Sequence, residues 1–174
     1  MLSVLSKPLQ KKMFHTQESR LLRLKKPLLC ERKDAWLGIG YYFWNDIEDA
    51  IRWGNNSKKR TGSFDVYESA INCENVLDTV FNEHHYHLWL TQIEKIGKHW
   101  LLKTGQKLTI KQMNDRLREK EVLSDVDGIL FQDLPQQQDY LLVIEFYYRK
   151  RIQLIAYKSS IVLSFEHYSH HKCA

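Results

Sequence analysis

The stretch GIGYYFW, residues 38–44, constrains this chain more than any other. Tyr41, Tyr42, Phe43 and Trp44 are bulky aromatics that favour an extended backbone, and on a strand they alternate, two to each face. Asn45 or Asp46 then supplies a helix N-cap, and Glu48 and Asp49 fall in the first turn, where the helix dipole favours acids. The spacing predicts a helix over 46–53, stopped by Gly54. Gly38 and Gly40 make a GxG, but no third glycine follows and an aromatic strand stands where a helix should open. This is not the phosphate loop of a doubly wound dinucleotide fold.

The rest of the chain reads as a mixed skeleton. KMFHT, 12–16, is a short first strand, and 19–36 is a basic, leucine-rich loop. After a polar loop at 55–63, FDVYESAI, 64–71, alternates as a strand does. Val80, Phe81, His84, Leu88, Ile93, Ile96 and Trp100 recur at helical spacing, predicting a helix over 79–103. A second helix over 109–120 presents Ile110, Met113 and Leu117 on one face. Three strands follow, starting near 128, 140 and 151. The unbroken apolar run Leu141 to Ile144 suits a strand covered on both faces. The terminal EHYSHHKCA is expected to fray. The expectation is one α+β domain over 1–174, with a core at about 12–157 and a terminal strand and tail over 158–174.

Composition narrows the function classes. At 43% hydrophobic residues the chain has material for a core, which excludes wholesale disorder. A net charge of +5 permits a polyanionic partner. The basic clusters Arg23-Lys25-Lys26, Lys58-Lys59-Arg60 and Arg149-Lys150-Arg151 carry no nucleic-acid-binding motif and read first as solvated surface. Cys30, Cys73 and Cys173 are odd in number and widely spaced, which suggests free thiols in a reducing, cytoplasmic setting. No run is long enough for a membrane span, so no membrane is expected as partner. His84, His85 and His87 lack a local Cys or carboxylate to complete a tetrahedral set, and His167, His170, His171 and Cys173 sit in the tail. No metal is expected from either.

Several of these stretches together resemble ADP-ribosyltransferases of the diphtheria-toxin and poly(ADP-ribose) polymerase type. MFHTQ is similar to that family's first signature, a strand ending in His-Gly-Ser/Thr. GIGYYFWNDIEDAIRWG resembles the second, a Tyr followed eleven residues later by another aromatic, here Tyr42 and Trp53. DGILFQDLPQQQDYLLVIEF resembles the third, where an acid opens a strand. FDVYESAINCENVLD is similar to the strand that ends in an Asn-x-Leu-Asp turn. The resemblance spans about 12–157 and follows the order of small bacterial and phage members. It implies split antiparallel sheets with flanking helices around a cleft for NAD, the substrate.

That family breaks the bond between nicotinamide and ribose through an oxocarbenium-like transition state, which needs ring stacking, anchors for ribose hydroxyls and a nearby carboxylate. By resemblance, His15 bonds a ribose hydroxyl, Tyr42 and Trp53 sandwich the nicotinamide, and Thr16 and Gly40 border the cofactor. Asp139 is the catalytic acid, acting with His15 and Tyr42. Gln137 or Gln138 contributes to acceptor recognition, and Glu145 lies too far along the strand to replace Asp139. The implied activity is transfer of ADP-ribose to a macromolecular acceptor, protein or nucleic acid, as a toxin or phage-related effector with an inhibitor or antitoxin protein as partner. The chain has Thr16 for the family's Gly, Asp139 for its Glu, and Ala50 for its small hydroxyl residue. These departures carry one alternative, an inactive nucleotide- or partner-binding module of the same fold; the basic clusters, if they converge in space, carry another, a basic nucleic-acid-binding protein.

Overall fold

The computed structural model describes residues 9–133 and 150–174. Strand β1, Gln10–Glu18, pairs along one edge with β3, Ser63–Asn72, from Gln10↔Asn72 to Glu18↔Phe64. Strand β7, Glu166–Lys172, covers the outer edge of β3. On the other side of β1 lies β2, Tyr41–Trp44, which pairs with β6, Ile152–Ala156. Strand β5, Gly128–Gln132, follows on β6, and the short β4, Val76–Asp78, runs parallel to β5 at the far edge. The result is an α+β fold with one mixed seven-stranded sheet in the order β4-β5-β6-β2-β1-β3-β7.

The sequence expectation was split antiparallel sheets. The described strands join into one sheet, but the join is narrow: β1 and β2 share only the register pair Phe14↔Trp44. Two well-laddered halves therefore meet at a fork.

Apolar runs explain the middle of the sheet. In β5, Ile129 and Phe131 pack on one face with Leu37, Met113 and Leu117, while Leu130 packs on the other with Met13, Phe43 and Leu154. Both faces are covered, so GILF and LIA have no polar alternation to show. The first of these faces is closed by α2, Glu83–Thr104, and α3, Ile110–Glu119. Thr109 and Gln112 form a reciprocal capping box that starts α3. A third cluster, Phe14, Trp44, Ala50, Phe64 and Val66, lies under α1, Ile47–Ser57.

Three expectations are corrected. Gly54 does not stop α1; it lies inside the helix, because a Cβ there would stand 2.2 Å from the Phe64 ring. The glycine is a packing notch, and α1 runs one turn further. Residues 79–82 are not helical, since the Asp78 side chain accepts from the amides of Val80 and Phe81 and Asn82 then caps α2. The tail is not frayed: Glu166–Lys172 is an edge strand whose burial alternates strictly. The buried carboxylate of Asp65 accepts from His167 at 3.3 Å and His170 at 2.9 Å and ties β7 to β3. The strand expected from residue 140 lies outside the described residues.

Candidate functional site

Where β1 and β2 part, a cleft of about 580 Å³ opens. That is within the size range of small-molecule sites. His15, Thr16, Tyr42 and Trp53 all line it, from β1, β2 and the helix α1 that follows β2. The fork is what brings them together: a fully laddered β1–β2 pair would leave no space between them.

His15 is the most constrained of these groups. It is 6% exposed, and its ring lies 5.5 Å from Phe43 and 5.7 Å from Phe165. Its Nδ1 is 2.9 Å from the Tyr42 carbonyl, so Nδ1 carries the hydrogen and donates across the fork. Nε2 is then the acceptor nitrogen, and among the described residues it is buried without a partner. Burial pushes the imidazole down to about 4, against the raising effect of the Tyr42 carbonyl and with further lowering by the Lys58 charge. At neutral pH the ring is uncharged, and Nε2 carries a lone pair.

Tyr42 is held at both ends. Its carbonyl accepts the hydrogen bond from His15 Nδ1, and its hydroxyl donates to the Gly38 carbonyl at 2.8 Å. Gly38 has φ +92°, a left-handed conformation that a side chain would strain. The ring stands edge-on to Phe131, and burial raises the phenol far above its ordinary range. Trp53, from α1, leans on Trp44 at 5.9 Å.

Thr16 borders the cleft, but its hydroxyl donates to the Ala50 carbonyl at 2.8 Å, anchoring β1 to α1. Ala50 itself is fully buried in the cluster beneath the helix. Gly40 is not among the lining residues. A Cβ there would meet the Ile155 side chain at 2.5 Å, and its backbone exchanges hydrogen bonds with Cys30 at 2.9 and 3.3 Å. Its contribution is to draw the 19–36 loop against β2, which delivers Cys30, Arg32 and Trp36 to the rim. Asp139, Gln137, Gln138 and Glu145 lie outside the described residues.

Sequence reasoning missed part of the lining. Trp44 follows Tyr42 by two on the same strand, so the period-two rule was enough to place both on one face. Asp133 and Arg151 form a largely buried ion pair at 2.6 Å, with the guanidinium 5.6 Å from the centre of the Trp44 ring. Finding that pair needs the β5–β6 register, which no local signal supplies. Arg32 is held by Asp34. Lys58, read as part of a solvated cluster, is partly buried at the cleft wall, whereas Lys59 and Arg60 are exposed.

Metal chemistry has no local support: no group of three His, Cys, Asp or Glu side chains is clustered for an ion among the described residues. His85 has a structural task, with Nδ1 accepting from the Asp78 amide at 3.0 Å. No described helix is long and apolar enough to cross a membrane. No protein-family model, curated protein or solved structure matches the chain.

Proposed function

We propose that the cleft binds NAD and that the protein is an ADP-ribosyltransferase acting on a macromolecular acceptor. One observation carries this reading. His15, Tyr42 and Trp53, which the resemblance assigns to ribose and nicotinamide, line a single cleft together with Trp36 and Trp44. The wall is aromatic enough to stack a planar ring. The neutral His15 offers Nε2 as an acceptor for a ribose hydroxyl.

In the reaction, the bond between nicotinamide nitrogen and ribose C1 breaks, and its electron pair leaves with neutral nicotinamide. The acceptor nucleophile bonds to C1 and gives up its proton. Tyr42 and Trp53 hold the leaving ring, His15 orients the ribose, and Asp139 stabilises the positive charge that grows on the ribose.

The test is nicotinamide release from NAD by the purified protein with cell lysate as acceptor. Release by the wild type that His15→Ala and Asp139→Ala each reduce by about a hundredfold or more supports the reading. A folded wild type that releases none contradicts it.

A second reading, a nucleotide-binding module without catalysis, is favoured by the carboxylates Asp34 and Asp133. Both line the cleft, and both are occupied by arginines. NAD binding without release by the wild type, even with lysate, would select it.

A further inference from the structure

Three cationic side chains, Arg32, Lys58 and Arg151, and three carboxylates, Glu31, Asp34 and Asp133, line the cleft, and Lys58 stands outside its two ion pairs. Arg32 is paired with Asp34, and Arg151 with Asp133. Lys58 lines the same cleft and makes no ion pair with any described carboxylate. It is partly buried, and burial lowers its pKa, with the charge of Arg32 adding to the effect and that of Glu18 opposing it. A partly buried cation with no ion pair among the described residues carries an electrostatic cost that an anionic ligand would offset.

The local structure presents this lysine deliberately. Lys58 is the C-cap of α1, and its amide donates to the Gly54 carbonyl at 2.9 Å. Its own carbonyl accepts from the amides of Thr61 and Gly62 and from the Thr61 hydroxyl, at 3.0 to 3.1 Å. Gly62 closes that turn with φ +73°. Gly54, one turn earlier, is the notch that lets α1 sit against Phe64. The backbone is pinned, while the ammonium group makes no ion pair among the described residues. Its charge contributes to lowering the His15 pKa, and both side chains line the one cleft.

We propose that Lys58 is the specificity-determining residue for phosphate in this cleft: it holds the diphosphate of a dinucleotide beside the ribose anchored at His15. The inference rests on the NAD reading for the identity of the ligand, but the anion site itself is testable without it. Lysine suits the role as a compact point charge with three donors. The aromatic wall takes the ring, His15 takes a hydroxyl, and Lys58 distinguishes a nucleotide from a nucleoside.

Calorimetric titration separates the possibilities, with NAD, ADP and nicotinamide riboside as probes. The proteins are wild type, Lys58→Met, Lys58→Arg and, as a control on the exposed neighbour, Lys59→Met. The expected result is that Lys58→Met weakens NAD and ADP by about tenfold or more while nicotinamide riboside is unchanged. Lys58→Arg should keep most of the affinity and Lys59→Met nearly all of it. Unchanged NAD and ADP affinity in Lys58→Met overturns the inference, as does equal weakening of nicotinamide riboside, which would mark a structural role. Wild type that binds ADP through Lys58 but not NAD would leave the anion site standing and sink the transferase reading. Wild type that binds neither ADP nor NAD overturns both.

Discussion

The two edges of β1 are built to opposite ends. Along one edge, Gln10–Glu18 zips onto β3 residue by residue, and the side chains above and below are packed. Along the other, one register pair joins it to β2, and the neighbouring space is a cleft where His15 Nε2 has no partner among the described residues. A single strand thus supplies stability on one side and a site on the other. His15 shows the cost of the open edge: a buried imidazole with one nitrogen unsatisfied is tolerated because the zipped edge holds the strand in place.

The largest effect should come from the zipped edge. Phe64, on β3, is fully buried beneath α1. Phe64→Ala should cost about 3–5 kcal/mol in denaturant unfolding, and a loss near zero would mean that this edge does not carry the fold.

Next comes the pH response of the open edge. The His15 pKa is 6.5 when unfolded and about 4 in the fold, so between those values the unfolded chain binds more protons. Stability is full above pH 6.5 and falls as the pH drops towards 4, by up to about 3 kcal/mol. Unfolding measured at pH 7 and pH 4.5 should show this loss in wild type and a smaller one in His15→Gln. Parallel losses in the two proteins would remove His15 as the source.

Gly54→Ala should cost about 1–3 kcal/mol, because the added Cβ meets the Phe64 ring. Phe64→Leu in the same chain should recover part of that loss, and purely additive losses would show that the two sites do not touch. The smallest effect belongs to the seam between β1 and α1. Thr16→Val removes the bond to the Ala50 carbonyl and should cost about 1 kcal/mol while NAD affinity stays near wild type. A large drop in affinity would mean that the hydroxyl serves the ligand as well.

The same contrast governs what the sequence revealed. Elements whose signals are local were legible: a cap at Asn45 or Asp46, of which Asp46 serves, the aromatic strand at 41–44, the Thr109 helix start, and the strands at 64 and 128. Gly54 misled because a glycine that makes room for Phe64 looks the same in sequence as one that ends a helix. EHYSHHK misled because an edge strand with one wet face carries histidines and a serine where apolar residues would announce it. At the site, His15, Thr16, Tyr42 and Trp53 line one cleft, Gly40 does not and Asp139 lies outside the described residues, whereas Arg151 and Lys58 read only as members of basic surface clusters and Asp133 did not stand out. Their placement depends on the β5–β6 register and on which of three adjacent cations turns inward, and both are tertiary facts.

Occupancy of the open edge can be read from a thiol. Cys30 lines the cleft, while Cys173 lies beyond it, near the carbonyl of Gly54. Alkylation rates at the two cysteines, resolved by peptide mass spectrometry with and without NAD, locate the ligand directly. NAD should slow modification of Cys30 and leave Cys173 unchanged. Equal rates at Cys30 with and without saturating NAD would contradict the claim that this fork is an NAD site.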